Sequence, residues 1–341
     1  MIAAQYLGDS KFGIADSVPV APKAGEVRLD VGYVGICGTD MHIYHGAMDK
    51  RVAPKETTGH EASGIVREVG EGVTDVKVGD RVVVRPLDYC GDCPACDAGH
   101  SHICHNLKFM GVDSVGAFQS SWTVKARTIH KLPDTIDLRQ GALIEPLAVA
   151  CHDISMARVK AGEHVVVLGG GPIGQLVAAV AKAEGADVVI SEINADRRAF
   201  AEANGIKAVD PLNQDLVGYV NAWTGTKGAD VVFEVSGVQP AVDVMTEIAA
   251  VRGRICIVAI YPATAPPKVN LFKFFWRELE LVGARVYEAA DFEKAIDLVS
   301  SGKVDIDKFI TSEFDLTSID EAFHTLATSP VGMKTVVKCG A

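Results

Sequence analysis

Residues 165–181 read VVVLGGGPIGQLVAAVA. An apolar run rich in β-branched residues leads into glycines at 169, 171 and 174, and Ile173, Leu176, Val177 and Val180 then recur at the spacing of one helix face. This pattern predicts a strand, a Gly-x-Gly-x-x-Gly turn and a helix, with Pro172 in the first helical turn, where a missing N–H is tolerated, and Gly185 past the end. The glycines have separate tasks. Gly169 permits the tight turn, Gly171 lets backbone approach a pyrophosphate, and Gly174 lets helix pack on strand, while the helix N-terminus faces phosphate charge. Gly169, Gly171, Pro172, Ile173 and Gly174 are therefore the candidate cofactor loop. Eighteen residues beyond Gly174, Glu192 closes the next apolar run, DVVISE. A carboxylate there accepts from an adenosine ribose 2′-hydroxyl and repels a 2′-phosphate, which favours NAD over NADP. Arg197 and Arg198 on the following helix are the counterweight, since either guanidinium could reach a 2′-phosphate. The uncharged run itself is shorter than the roughly 20 residues of a membrane span and is broken by glycine and proline.

The pattern extends in both directions. Between Glu163 and Ile260, strands and helices alternate: HVVVL, the glycine turn, IGQLVAAVAKAEG, DVVISE, ADRRAFAEANG, then DVVFEVSG and RICIVAI. Such alternation predicts a doubly wound parallel sheet. Ahead of it, VRLDVGYV, SGIVREV and DRVVVR are separated by Gly- and Asp-containing turns and predict a β-rich domain. Behind it come two amphipathic helices, DFEKAIDLVSSG and SIDEAFHTLAT, and a closing strand, KTVVKC, expected to return to the first domain. The expected fold class is α/β, with a β-rich catalytic domain made of residues 1–148 and 286–341 and a Rossmann-type domain of residues 149–285.

With 341 residues, 48% hydrophobic and 23% charged, the chain can bury two cores. Lys+Arg 33 against Asp+Glu 44 leaves a net charge of −11, a field that repels phosphate backbones and anionic membranes, so neither nucleic acid nor membrane is an expected partner. The opening MIAAQYLGDSKFG lacks the basic-then-apolar order of a secretory signal. Four of the eight cysteines crowd into one 15-residue window instead of spreading as a disulfide framework does. The expected compartment is the cytoplasm.

Those four, Cys90, Cys93, Cys96 and Cys104, are separated by short turns containing Gly91, Pro94 and Gly99. Four thiolates so spaced can close a tetrahedral zinc shell with no open position, the arrangement of a structural site. His100, His102 and His105 lie beside them and, with the shell complete, read as lobe surface. Between Tyr89 and His105 there are two Asp and no Lys or Arg, which argues against a nucleic-acid module. A second set is dispersed: Cys37 in ICGTDMH, His60 and Glu61 in TGHE, and Glu145 in ALIEPLAVA. Singly, each suits an ordinary core or helix-start position. Together they offer one thiolate, one imidazole and one or two carboxylates, and three protein ligands leave zinc a position for substrate.

Taken in order, ICGTDMH, TGHEASGIVREVG, GDRVVV, the four-cysteine lobe, GALIEPLAV, VVVLGGGPIG and SGKVDIDKFITSEFDL resemble the zinc-dependent medium-chain dehydrogenase family, most closely its sorbitol-like polyol branch. The resemblance implies a GroES-like catalytic domain, a Rossmann domain, two zinc ions per chain and hydride transfer from a secondary alcohol to NAD, giving the ketone. It implies Cys37 and His60 as ligands of the catalytic zinc, with Glu61 a direct or exchanging ligand and Glu145 bonded to the metal or its water. Asp40 would orient the ligand histidine or simply cap its turn. Thr39 would contact the reacting hydroxyl and His42 would pass its proton outward. L-Threonine 3-dehydrogenases share ICGTDMHIY, so a threonine or other hydroxy substrate is the alternative. The family's acidic-aromatic stretch is replaced here by GAFQSSW, and Trp122, Phe109 and Tyr44 are candidate pocket walls. A homo-oligomer, tetramer or dimer, is expected, with LELVGAR (279–285) pairing across a two-fold axis.

Overall fold

The computed structural model describes residues 1–329 and 332–340. The chain divides into two compact units, Met1–Pro146 with Glu288–Ala341, and Leu147–Tyr287.

The Leu147–Tyr287 unit is built on a six-stranded sheet whose neighbours all run parallel. Its strands, in chain order, are His164–Leu168, Asp187–Ser191, Lys207–Val209, Ala229–Glu234, Ala249–Ile257 and Glu280–Gly283. Across the sheet they lie third, second, first, fourth, fifth, sixth, the doubly wound Rossmann order. Val165, Val166, Val167 and Leu168 are all buried, because helices cover both faces of a parallel sheet and no side of the strand meets water. The order reverses between the first and fourth strands. There the glycine turn opens the Pro172–Ala183 helix.

The other unit is β-rich. Its seven-stranded sheet runs Ile310–Asp315, Lys334–Lys338, Glu26–Gly35, Glu61–Val69, Arg81–Val84, Ile129–Lys131, with Ser121–Lys125 also on Glu26–Gly35. The strand Lys334–Lys338 lies between Ile310–Asp315 and Glu26–Gly35, so residues from beyond the Rossmann unit join the sheet of the first domain. The Ile319–Thr328 helix reinforces this: Phe323 stacks on Phe12 at 4.3 Å within an apolar core that also holds Tyr6 and Phe118. One unit is thus β-rich and the other has the Rossmann strand order, the α/β class expected from the sequence. Among the described residues, no helix is long and apolar enough to cross a membrane.

Candidate active site

Cys37 is the residue on which the Glu26–Gly35 strand passes into the Gly38–Tyr44 helix. It sits at the helix N-cap in extended conformation, and its N–H donates to Asp40 Oδ2 at 2.9 Å. Asp40 is fully buried, and its other oxygen faces His60 Nδ1 at 3.8 Å. One carboxylate therefore serves both tasks that the sequence leaves open, capping the turn and facing the imidazole. His60 immediately precedes the Glu61–Val69 strand, which pairs with Glu26–Gly35 so that Glu61 stands opposite Gly35. A β-carbon at 35 would lie 2.1 Å from Glu61 Oε2, so only glycine leaves room for the carboxylate. As a result, one ligand atom each from Cys37, His60 and Glu61 lies within 4.8 Å of the others.

Glu61 has a partner that the sequence does not announce. Lys334, 4% exposed, donates to Glu61 Oε1 at 2.6 Å and to the Ile36 carbonyl at 3.0 Å. The next three residues on this strand, Thr335, Val336 and Val337, are as closed to water as the lysine is, and no alternation of polar and apolar residues marks it. Glu145, 4% exposed in the first turn of the Ile144–Met156 helix, acts electrostatically on both His60 and Lys334 but stands outside the three-atom group. Of the two carboxylates, Glu61 is the one brought to Cys37 and His60.

The pocket's charge balance favours a cation. Burial opposes charge on His60, yet Asp40, Cys37 and Glu145 outweigh it and push its pKa up to about 10. Burial also raises Asp40 above the usual carboxylate range. A thiol, an imidazole and a carboxylate converging in so anionic a pocket form a donor set that fits zinc. Lys334→Met removes one partner of a buried pair, which typically costs about 3–5 kcal/mol. The expected result is a lower melting temperature, measured by calorimetry, and a larger loss than for Lys334→Arg.

Thr39 is half-buried and His42 exposed one turn later on the same helix. Phe109 packs edge-on against His60, with ring centroids 5.0 Å apart. The other two candidate pocket walls are core instead. Trp122 is 3% exposed and donates to the Val115 carbonyl at 3.0 Å, and Tyr44 stacks on Phe323 at 5.4 Å. Large aromatics bury more area in the apolar core than at a wet pocket, which overrides their position near the motif.

The four-cysteine lobe is equally compact. Sulfur separations are 3.3 Å for Cys90 and Cys104, 3.6 Å for Cys93 and Cys96, and 3.8 Å for Cys93 and Cys104. Tetrahedral zinc with bonds of about 2.3 Å places its sulfurs about 3.8 Å apart. Backbone N–H groups of Cys96 and His105 aimed at the Cys93 sulfur bring its thiol down to about 6. The N–H groups of Cys90 and Asn106 point at the Cys104 sulfur. Donors gathered around the Cys93 sulfur stabilise its thiolate, the form that binds metal, whereas Asp92 pushes the Cys90 thiol up and burial pushes up Cys96.

In the other unit, the glycine turn has the shape its sequence requires. Gly169 has φ +107°, and a β-carbon on Gly174 would fall 1.9 Å from the Gly169 carbonyl oxygen. Glu192 is 6% exposed and accepts from the N–H groups of Gly170 at 2.6 Å and Asn194 at 2.8 Å, which fixes its carboxylate against the loop. The two arginines separate. Arg198 donates to the Glu192 and Ile193 carbonyls and pairs with Asp210 at 3.1 Å, whereas the Arg197 guanidinium lies 3.6 Å from where a β-carbon on Gly171 would sit. This cradle, open only because glycines form it, fits a dinucleotide pyrophosphate.

Comparison with known proteins agrees with both halves. Residues 23–134 match the alcohol dehydrogenase GroES-like domain, and residues 172–301 match the zinc-binding dehydrogenase domain. The 2-dehydro-3-deoxy-L-galactonate 5-dehydrogenase of Pseudoalteromonas atlantica is 63% identical over 341 residues, covering 100% of this chain and 99% of that one. The sorbitol dehydrogenase of Halalkalibacterium halodurans is 34% identical over 325 residues, covering 94% and 93%. The crystal structure of 2R,3R-butanediol dehydrogenase from Bacillus subtilis superposes with a TM-score of 0.91 at 32% identity, covering 99% of each chain. The chain belongs to the zinc-dependent medium-chain alcohol dehydrogenase family, in its polyol dehydrogenase branch.

Proposed function

We propose that the chain oxidises a secondary hydroxyl of a sugar acid or related polyol to the ketone, with NAD as acceptor. The convergence of Cys37, His60 and Glu61 carries the reaction type, and the relative at 63% identity, named for position 5 of a deoxy sugar acid, supports the substrate class. Zinc held by those three residues would supply Lewis acidity toward the substrate hydroxyl, and the nicotinamide would take the hydride. A second zinc would be structural, held by Cys90, Cys93, Cys96 and Cys104.

The protein's own groups handle position and protons. Asp40 Oδ1 faces His60 Nδ1 at 3.8 Å and would orient the imidazole as a metal ligand, a task a carboxylate commonly performs behind a ligand imidazole. Lys334 holds Glu61 in place, so the carboxylate that would help hold zinc already has an ammonium partner. The Thr39 hydroxyl takes the hydrogen bond from the substrate hydroxyl, and His42, exposed on the same helix, releases the proton to solvent. Phe109 shields the far side of the imidazole from water.

Glu192 supports NAD, because its buried carboxylate keeps lone pairs for a ribose hydroxyl after accepting two backbone donors. Arg197 beside Gly171 leaves NADP as the second choice. Glu192→Ala is expected to narrow the ratio of kcat/KM for NAD over NADP by about tenfold or more, since a charged hydrogen bond is worth about 1.5–3 kcal/mol. An unchanged ratio would assign ribose selection to another residue.

Four cysteines gathered for metal rather than bridged as disulfides suit a reducing cytoplasm. Leu271, Phe272, Phe275 and Trp276 are exposed just before the Glu280–Gly283 strand at the sheet edge, which supports a homo-oligomer, a dimer or tetramer, formed through that edge. Size exclusion at micromolar concentration is expected to show no monomer.

The deciding experiment follows nicotinamide reduction by purified protein with 2-dehydro-3-deoxy-L-galactonate, sorbitol, 2,3-butanediol and L-threonine, each with NAD and NADP. The sugar acid with NAD is expected to turn over fastest. Turnover confined to L-threonine would transfer the chain to the alternative substrate class, and no turnover on any secondary alcohol would remove the reading.

A further inference from the structure

Three residues that neither proposed zinc site uses converge at the foot of the cysteine lobe. His100 Nδ1 lies 3.4 Å from Glu288 Oε1, and His102 Nδ1 lies 3.5 Å from the same oxygen. The imidazoles are nearly perpendicular, at 86°, with centroids 6.0 Å apart, so two nitrogens and one oxygen enclose a common point. At sequence level these histidines read as lobe surface, but His102 is only 6% exposed.

We propose that His100, His102 and Glu288 form a third, exchangeable metal site for a divalent transition ion of the zinc class. Tetrahedral zinc bound at about 2.0–2.1 Å sets its nitrogen and oxygen ligands about 3.4 Å apart, which matches both separations, whereas a strong ion-paired hydrogen bond closes to about 2.7–2.9 Å. The ligands are held in advance. His102 belongs to the short Ser101–Ile103 helix, two residues before Cys104, so the thiolate shell that fixes Cys104 also fixes the imidazole. Glu288 caps the Ala289–Ser300 helix, its carboxylate accepting from the first turn while its N–H donates to Asp291 Oδ2 at 2.8 Å. Ordering done by the fold does not have to be repeated on binding.

Two imidazoles and a carboxylate select zinc, cobalt, nickel or copper over magnesium or calcium and leave a fourth position to water. The side chains of His100 and Glu288 are 57% and 43% exposed, so an ion can enter and leave without unfolding the lobe. An ion bound there ties residues 100–102 to residue 288, where the chain returns from the Rossmann unit to the catalytic domain.

The test is titration of the purified holoenzyme, freed of loosely held metal by dialysis, with cobalt(II), read by its visible absorption and by calorimetry. About one further equivalent per chain is expected, weakened about a hundredfold or more by His102→Asn or by the double change His100→Asn, His102→Asn, and kept by His105→Asn. Glu288→Gln preserves an acceptor for the helix cap and is expected to lose the ion too, which guards against a histidine variant that misfolds. No further equivalent, or one that survives all of these changes, would overturn the site. Because the readout is metal bound rather than alcohol oxidised, the result is independent of the proposed substrate. Repeating the titration on Cys37→Ser is expected to leave this equivalent in place.

Discussion

Cys37→Ser is expected to reduce turnover by at least about a thousandfold while leaving the fold intact. Metal activation of a substrate oxygen contributes several kcal/mol to the transition state, and about 1.4 kcal/mol corresponds to tenfold in rate. Serine keeps the volume and the backbone N–H that Asp40 accepts from, so the helix cap survives. What it removes is the only sulfur of the three-residue group. Zinc content measured by mass spectrometry should fall by one equivalent per chain, with the melting temperature nearly unchanged. Retained activity would take Cys37 out of the metal shell, and a large fall in melting temperature would mean that the pocket is a pillar of the domain as well as a reaction site.

Cys93→Ala is expected to do the opposite, destabilising the protein by several kcal/mol while leaving the group at Cys37, His60 and Glu61 in place. A structural metal contributes its binding free energy to folding, apparent values being about 10–16 kcal/mol in small zinc-folded domains. Cys93 is 5% exposed, and its sulfur lies near two of its three partners and accepts from the His105 backbone. Without it, little apolar surface is left to hold residues 90–104 together. Calorimetry should show a lower melting temperature, and limited proteolysis should find new cleavage within the lobe. Survival of the lobe in chelator would show that packing rather than metal holds it.

Much of this was legible in the sequence because the features concerned are local. Glycines at 169, 171 and 174 between a strand and a helix constrain backbone within ten residues, and four cysteines within fifteen residues leave few ways to arrange their sulfurs. The place of Glu192 against the loop was legible for the same reason, because it directly follows the next strand. What stayed hidden depends on long-range contacts. The choice between Glu61 and Glu145 turns on strand pairing that sets Glu61 opposite Gly35, and no spacing encodes that pairing. Lys334 lies 273 positions from Glu61 and in the sequence is one more charged residue before an apolar run. Trp122 and Tyr44 look like pocket walls because they stand near motif residues, yet the packing of Phe323, contributed by a distant helix, draws Tyr44 into the core. Asp40 was open between two tasks for a different reason. A carboxylate has two oxygens, and here each takes one of them.

The position of Lys334 bears on how the chain is made. Its strand fills the gap between Ile310–Asp315 and Glu26–Gly35, and its ammonium holds the Glu61 carboxylate beside Cys37 and His60. A ribosome delivers Cys37, His60 and Glu61 long before residue 334, and the whole Rossmann unit is synthesised in between. Until then the Glu26–Gly35 strand has an open edge, and the Glu61 carboxylate has no counter-ion. The nascent β-rich domain is thus held back from its final form, a late closure of the kind that long sequence separation imposes on folding. Activity should therefore appear only once residue 334 has joined the sheet, although Cys37, His60 and Glu61 are all made far earlier.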